Sequence, residues 1–539
     1  MRINRFFKKL FFSTNLYDFY LTRHQIQDII FTPRDAWPGD PLLGDSLVQG
    51  HYDLAGKKVY APDEILWKII GPSKYWEREA HSFSWLRHLK ARSGPLARKH
   101  ARFLIMEWMQ LYYKWSEKPW EIETLSRRVS SWMTNIDFLL AEKDEKFLTL
   151  LKKNIFKQIK HLRLHANKKY FSSLDSKYGL EVGSIKKIKI LRGLLLYSVC
   201  FEEEGNRYIK YIKMLKLEIQ IIFNSEGLHF SKSPSTQLSI LADLVTIREA
   251  LISKQQEVPE FLSVVIKKSA HSLRFFRTGK GCLAIFNGSK QETKFLIDKI
   301  LSIADGKSRG RGPSNLFESG FEKLNSSDLT VFVDAFKYNE KSSSSAPHAI
   351  EVNIGKNRLL GSCGTTFEKN KKWKTSLLSA SAHSVLIIEN SNPFSLKDKN
   401  QKINCKRFKK NGAEVVQLVH YGYKNKYSAI CSRTIELGSN GKNFAVLDQI
   451  YSEKLLNFDI RLHFNPDVKI SLSRDKKKSI LILNDQGWSF NFDGKVFLTL
   501  EQSIFVEDSG KIIDTNQIVL KGKTGKGNTE VLWGFSKET

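Results

Sequence analysis

Apolar positions in the first half of the chain recur at helical spacing, and in the second half at every other residue. Trp76, Ala80, Phe83, Leu86 and Leu89 form one stripe, and Leu125, Val129, Trp132, Ile136 and Leu139 another. Phe147, Leu151, Ile155 and Ile159 continue the pattern, followed by stretches from Ile188 to Phe201, Tyr208 to Phe223 and Leu238 to Leu251. The breaks between stripes are short and hold Gly, Asn or Ser, as in Glu204-Gly205-Asn206 and Asn224 to Gly227. Helices joined by such turns are antiparallel neighbours, so the pattern predicts a stack or ring of helical hairpins.

From about Cys282 the period falls to two. Leu329 to Phe336, Ala349 to Ile354, Val385 to Ile388, Ala445 to Ile450, Ser479 to Leu483 and Val496 to Leu500 alternate. Asn353 to Asn357, Ser439-Asn440-Gly441, Asn484 to Gly487 and Asp493-Gly494 read as turns between them. Many strands without intervening helices predict an antiparallel sandwich. The polar segments Ser289 to Ser319 and Lys337 to Pro347 read as loops on it. The expected class is α+β multidomain, with residues 1–265 helical and 266–539 forming the sandwich.

A chain of 539 residues is long enough for two cores. Its 86 lysines and arginines against 56 acids give a net charge of +30, which favours a polyanionic partner unless the excess only solvates the surface. Aromatic residues sit mainly at core-like spacing, not on an exposed basic stacking surface, so nucleic acid is not the expected partner. Cys200, Cys282, Cys363, Cys405 and Cys431 are too widely spaced for a metal site, and no disulfide framework or cofactor motif stands out. The basic, aromatic start has no signal-peptide core, and no run is long enough to span a membrane, although weak surface contact there is compatible with its composition. These features point to the cytoplasm, whereas a glycan partner would point to the envelope.

Chemistry concentrates in a few loops. His229 precedes a helix expected to open at Ser233-Pro234, with Lys232, Thr236 and Gln237 beside it. It reads either as a ligand-facing imidazole or as a loop histidine bonded to a neighbouring helix. His348 follows a serine loop at a strand mouth, with Glu351 three residues on and therefore on the opposite face. His383 lies among small residues, Ser379 to Ser384, which suit either close ligand approach or a tight turn. His81 and His463 read as structural. The basic run Gly306 to Gly312 lacks the strand and helix that a phosphate loop requires.

The phrases Glu79-Ala80-His81-Ser82-Phe83-Ser84-Trp85-Leu86-Arg87, His229-Phe230-Ser231-Lys232-Ser233-Pro234, Leu273-Arg274-Phe275-Phe276-Arg277, Pro347-His348-Ala349 and Ala382-His383-Ser384, taken in order, resemble the heparinase II/III-like polysaccharide lyases. The resemblance implies an (α/α) toroid followed by an antiparallel β-sandwich. It also implies β-elimination on a uronate-containing polysaccharide bound between them. That chemistry needs a group to neutralise the uronate carboxylate, a base for the carbon-bound proton and an acid for the leaving oxygen. On this reading His229, His348 and His383 are the catalytic candidates, and Lys232, Ser233, Thr236, Gln237 and Glu351 the substrate-binding ones, with no metal. Relatives place a tyrosine shortly after the Ser-Pro and an Asn or His on a toroid helix. Here Thr236 stands at the first position, and Val182-Gly183-Ser184-Ile185 fills the segment of the second. Two expectations follow: a lyase-like enzyme with a rearranged site, or a non-catalytic envelope protein that binds acidic glycans.

Overall fold

The computed structural model describes residues 9–538, apart from 24–26, 63–65, 143, 179, 202–206, 309, 336–345, 366–370 and 395–402. The Glu204-Gly205-Asn206 turn and nearly all of the serine-rich segment before Pro347 lie outside the described residues.

The chain forms two compact units. The first comprises Met1–Ile222, Ser239–Lys267 and Lys299–Ser308; the second comprises Phe223–Leu238, Lys268–Asp298 and Arg309–Thr539. The loop carrying His229 and the first turn of the following helix, Pro234–Ser253, therefore group with the strand-rich part.

The first unit is helical. Gly94–Leu111, Ile122–Thr134, Glu145–His165, Leu180–Cys200 and Arg207–Ile222 are its long helices. The expected stripe from Trp76 to Leu89 is two helices, Lys74–Ser82 and Leu86–Arg92. Phe83 breaks them by adopting a left-handed conformation, φ 54°, while its ring stays in the core between Trp67, Trp85 and Trp132. Packing thus overrides helical periodicity, because the ring gains more by filling the aromatic core than the backbone loses at one strained residue. Side-chain caps fix several helix starts: Ser73 accepts from Trp76 N, Glu121 from Thr124 N and Asp144 from Phe147 N. A hairpin of His51–Leu54 and Lys57–Tyr60 also lies in this unit. Helical-period reading overlooked it.

The second unit is an antiparallel sandwich. One sheet runs in the order Lys469–Leu472, Lys478–Leu483, Gln486–Gly494, Gly527–Lys537, Asn443–Ser452, Ala429–Leu437, Ala413–His420, Ile403–Lys410. The other runs Val496–Val506, Ile512–Lys523, Asn457–Phe464, Asn357–Gly361, Ile350–Ile354, Leu329–Asp334, Phe321–Ser326, Asn315–Leu316, with Leu386–Ile388 pairing off Asn457–Phe464. Alternation is cleanest in Ala429–Leu437 and Asn443–Ser452, where every second residue is buried. The expectation of a loop from Ser289 to Ser319 is corrected: Lys294–Asp305 is a helix. It buries Ile297, Ile300, Leu301 and Ala304 at helical spacing, a signal masked by its polar, glycine-bearing flanks. Among the described residues all five cysteines are free, and only Cys405 is exposed.

Candidate functional site

The second unit contains all the residues singled out on the His229, His348 and His383 loops, and it builds them into its interior. His229 has no exposed surface. Its Nδ1 pairs with Ser231 Oγ at 2.8 Å, and Gln237 Oε1 accepts its backbone N–H at 2.8 Å. Gln237 Nε2 also donates to the carbonyl of Gly227, so the glutamine braces the loop. Burial pushes the His229 imidazole down to about 3. Ser233 and Thr236 are buried at the helix mouth, and the Lys232 ammonium donates to Ser319 O at 2.9 Å.

His348 is buried at φ 64°, two residues before the strand Ile350–Ile354. Its ring lies 4.6 Å from that of His420, and among the described residues its Nε2 has no hydrogen-bond partner. Burial first, then His420 and Arg433, holds its pKa well below that of a free imidazole. His383 is buried with Nδ1 2.7 Å from Ser362 Oγ, and burial followed by the neighbouring His463 pushes it down to about 3. Glu351 is fully buried: it accepts from Ile285 N at 2.8 Å and pairs with Arg358 at 3.1 Å. The two sequence-structural histidines behave alike. His81 accepts from Trp108 Nε1, and His463 bridges Ser503 Oγ and Ser381 O.

The ring contacts join His348 to His420, and His229 to Phe223 and Phe230; they do not join the three candidate histidines to one another. A polar recess of about 280 Å³ lies beside the His383 phrase, lined by Ser379, Ser381, Asn390 and Asn392, and His383 is not on its wall. A neutral imidazole that never meets solvent can hold a loop, but it lacks a route for a proton.

The more open chemistry lies in the first unit, on residues the sequence reading passed over. Arg127 on Ile122–Thr134 grips Glu79 on Lys74–Ser82 through both terminal nitrogens, at 2.5 and 2.6 Å. Its Nη2 also donates to Ser84 Oγ at 3.0 Å, while Arg87 Nε donates to Ser84 O at 2.5 Å. Two guanidinium groups therefore converge on one serine. Arg87 lies 5.2 Å over the Trp37 ring and makes no ion pair among the described residues. On Leu180–Cys200, Lys186 pairs with Glu123 and Glu121, and Lys189 and Arg192 both pair with Asp243.

Burial alone would raise the Glu79 carboxyl, but Arg127 more than offsets it and holds the group below its usual value. The same balance, with Lys186 as the main cation, brings Glu123 to about 2. Both of these carboxyls of the row are thus ionised near neutrality. Solvent still reaches the row, since the Glu79 and Arg127 side chains keep 31% and 20% of their surface. The signal was present in Lys186, Lys189 and Arg192: three cations along one face of a largely apolar helix, with Lys187 on another face paired to Asp175 and Glu218.

Among the described residues no cluster of His, Cys, Asp or Glu has metal-site geometry, and no helix is long and apolar enough to cross a membrane.

With this geometry in place, the architecture can be compared with known ones. Over 97% of its length the chain superposes on a heparinase III crystal structure, covering 88% of that chain with a TM-score of 0.72 at 13% identity. A heparan sulfate lyase from Pedobacter heparinus matches over the same shares, with a TM-score of 0.60 at 15% identity. The fold is therefore an N-terminal (α/α) toroid followed by a C-terminal antiparallel β-sandwich. Residues 308–534 match the family described as heparinase II/III-like, C-terminal, and the fold of the whole chain is that of the heparinase III structures. FtsZ-localized protein C of Caulobacter vibrioides is 26% identical, across 94% of this chain and 89% of that protein.

Proposed function

We propose that this chain recognises an acidic glycan on a polysaccharide-lyase fold without cleaving it by imidazole-driven β-elimination. The convergence of Arg87 and Arg127 on Ser84 carries the binding half of this reading. Guanidinium forks match a carboxylate in plane and charge, and Arg87, although it feels the Asp35 carboxylate, makes no direct ion pair among the described residues. The mixed charges around them, Glu79, Asp243 and Lys189, both donate and accept, which suits sugar hydroxyls. The burial of His229, His348 and His383 supports the non-catalytic half. Titration calorimetry with oligogalacturonate tests the binding: we expect salt-sensitive affinity that falls on Arg87→Ala and survives His348→Ala. Affinity indifferent to Arg87 would overturn the reading.

One observation favours a second reading, β-elimination. The strained backbone of His348 and the unpartnered Nε2 on its ring are the kind of stored strain found at working residues. On that reading an opening of its loop brings His348 to substrate, with His229 as base and His383 as acid or carboxylate binder, while Lys232, Ser233, Thr236, Gln237 and Glu351 shape the pocket. Unsaturated products absorbing in the near ultraviolet are its signature.

The Caulobacter relative is named for its localisation with FtsZ, and we propose the same localisation for this chain. A fluorescent fusion that stays diffuse while FtsZ assembles would refute it.

A further inference from the structure

The sheet formed by Val496–Val506, Ile512–Lys523 and Asn457–Phe464 ends in an open recess of about 630 Å³. Its wall is set by register. Phe497 lies opposite Lys521, which lies opposite Asp459, and one pair further along Lys523 lies opposite Asn457. Residues in one cross-strand row point to one face, so Phe497, Lys521 and Asp459 share it, and Lys523 and Asn457 follow two residues on. Gly522 lies between them on the opposite face, where a Cβ would come within 2.6 Å of the Phe458 ring. A side chain there would push Phe458 and disturb the floor.

Phe497 keeps 60% of its surface exposed, unusual for a phenylalanine in mid-sheet. Lys495 and Lys523 are exposed and make no ion pair among the described residues. The acids nearby are already engaged: Asp459 by Arg461 at 2.8 Å and Glu501 by Lys521 at 2.6 Å. What remains open is an aromatic face flanked by two ammonium groups, while Asn457 at its edge donates to Glu389 through Nδ2 at 3.2 Å. Such a surface accepts the C–H face of a pyranose ring, with its carboxylate or sulfate turned to the lysines. It has no deep apolar pocket of the sort that anchors a peptide side chain.

We propose that this recess is a second acidic-glycan site, carried by the sandwich unit alone. The proposal shares with the toroid reading only the class of ligand.

The test measures binding of polygalacturonate oligomers to the full chain by titration calorimetry, in parallel for Phe497→Ala, the pair Lys495→Glu with Lys523→Glu, and Arg87→Ala. These side chains are exposed or outside the sandwich core, and circular dichroism melts check that each variant folds. Phe497→Ala is expected to weaken the sandwich-site affinity about tenfold, and the charge reversal more, with the salt dependence reduced. Two classes of site should resolve, of which Arg87→Ala removes the other. Unchanged binding in both sandwich variants, with loss only in Arg87→Ala, overturns this inference and leaves the toroid reading intact. The reverse pattern supports this site and removes the toroid one. A neutral glucan or a single-stranded oligonucleotide bound as tightly as the uronate also overturns it.

Discussion

Arg433 donates from Nη1 to the carbonyl oxygen of His348 at 2.9 Å, and so clamps the one candidate histidine whose backbone is left-handed. The same guanidinium pairs with both oxygens of Asp448, at 2.7 and 2.8 Å, and reaches Ser384 O beside His383. Trp533 Nε1 donates to Asp448 in turn. One buried ion pair therefore ties the His348 and His383 loops to the central strands. Removing either partner leaves an uncompensated buried charge. Asp448→Ala is expected to cost about 3 to 5 kcal/mol, measured as a lowered denaturant midpoint. A change below 1 kcal/mol would mean that the clamp contributes little.

Gln237 makes a similar prediction on a smaller scale. In Gln237→Ala the His229 N–H loses its acceptor inside the unit, whereas Gly227 O keeps Ser269 Oγ at 2.9 Å. One orphaned buried donor costs about 1 to 3 kcal/mol. Thermal melts should show that loss with no change in glycan affinity. A selective loss of affinity would instead assign Gln237 to the binding surface.

Acid should unfold the protein earlier than its carboxylates alone would. His229, His383 and His420 fall to about 3 and His463 to about 4 in the folded chain, mainly through burial. Unfolded histidine takes up its proton near 6.5, so between that value and the folded pKa the unfolded state binds more protons. The stability these groups contribute is complete above about pH 6.5 and drains as pH falls towards 3. By pH 5 each costs about 1 to 2 kcal/mol, and the four together exceed a typical margin of stability by pH 4. Equilibrium denaturation at stepped pH checks this. A flat profile from 7 to 5 would show the imidazoles to be hydrated.

Arg87 and Arg127 should separate binding from stability. Arg87 makes no ion pair among the described residues, so Arg87→Ala is expected to reduce oligogalacturonate affinity about tenfold with a melt close to that of the parent. Arg127→Ala strips Glu79 of its partner and should lower both. Equal destabilisation by the two would make the row purely structural.

The sequence read the architecture more clearly than the site. Period-two alternation survives in strands such as Ala429–Leu437 because one face is buried and the other solvated. Helical stripes survive except at Phe83, where the aromatic core overrules the backbone, and at Asn135, where the Leu125 to Leu139 stripe divides into the helices Ile122–Thr134 and Ile136–Leu139. Isolated histidines were the weak point. Sequence marks their flanking turns but not whether the ring faces solvent, and Gln237 and Arg433 became decisive only through contacts eight and 85 residues away. The Lys186, Lys189 and Arg192 face was legible as charge on a largely apolar helix, yet its partners lie on two other chain segments, at Glu121 and Glu123 and at Asp243.

The account turns on whether a lyase architecture here still moves protons. Incubating the folded protein with a panel of uronate polymers, while following near-ultraviolet absorbance and binding together, asks this directly. We expect binding without the appearance of an absorbing product. Steady accumulation of unsaturated product, abolished by His229→Ala or His348→Ala in variants that still fold, would contradict the account.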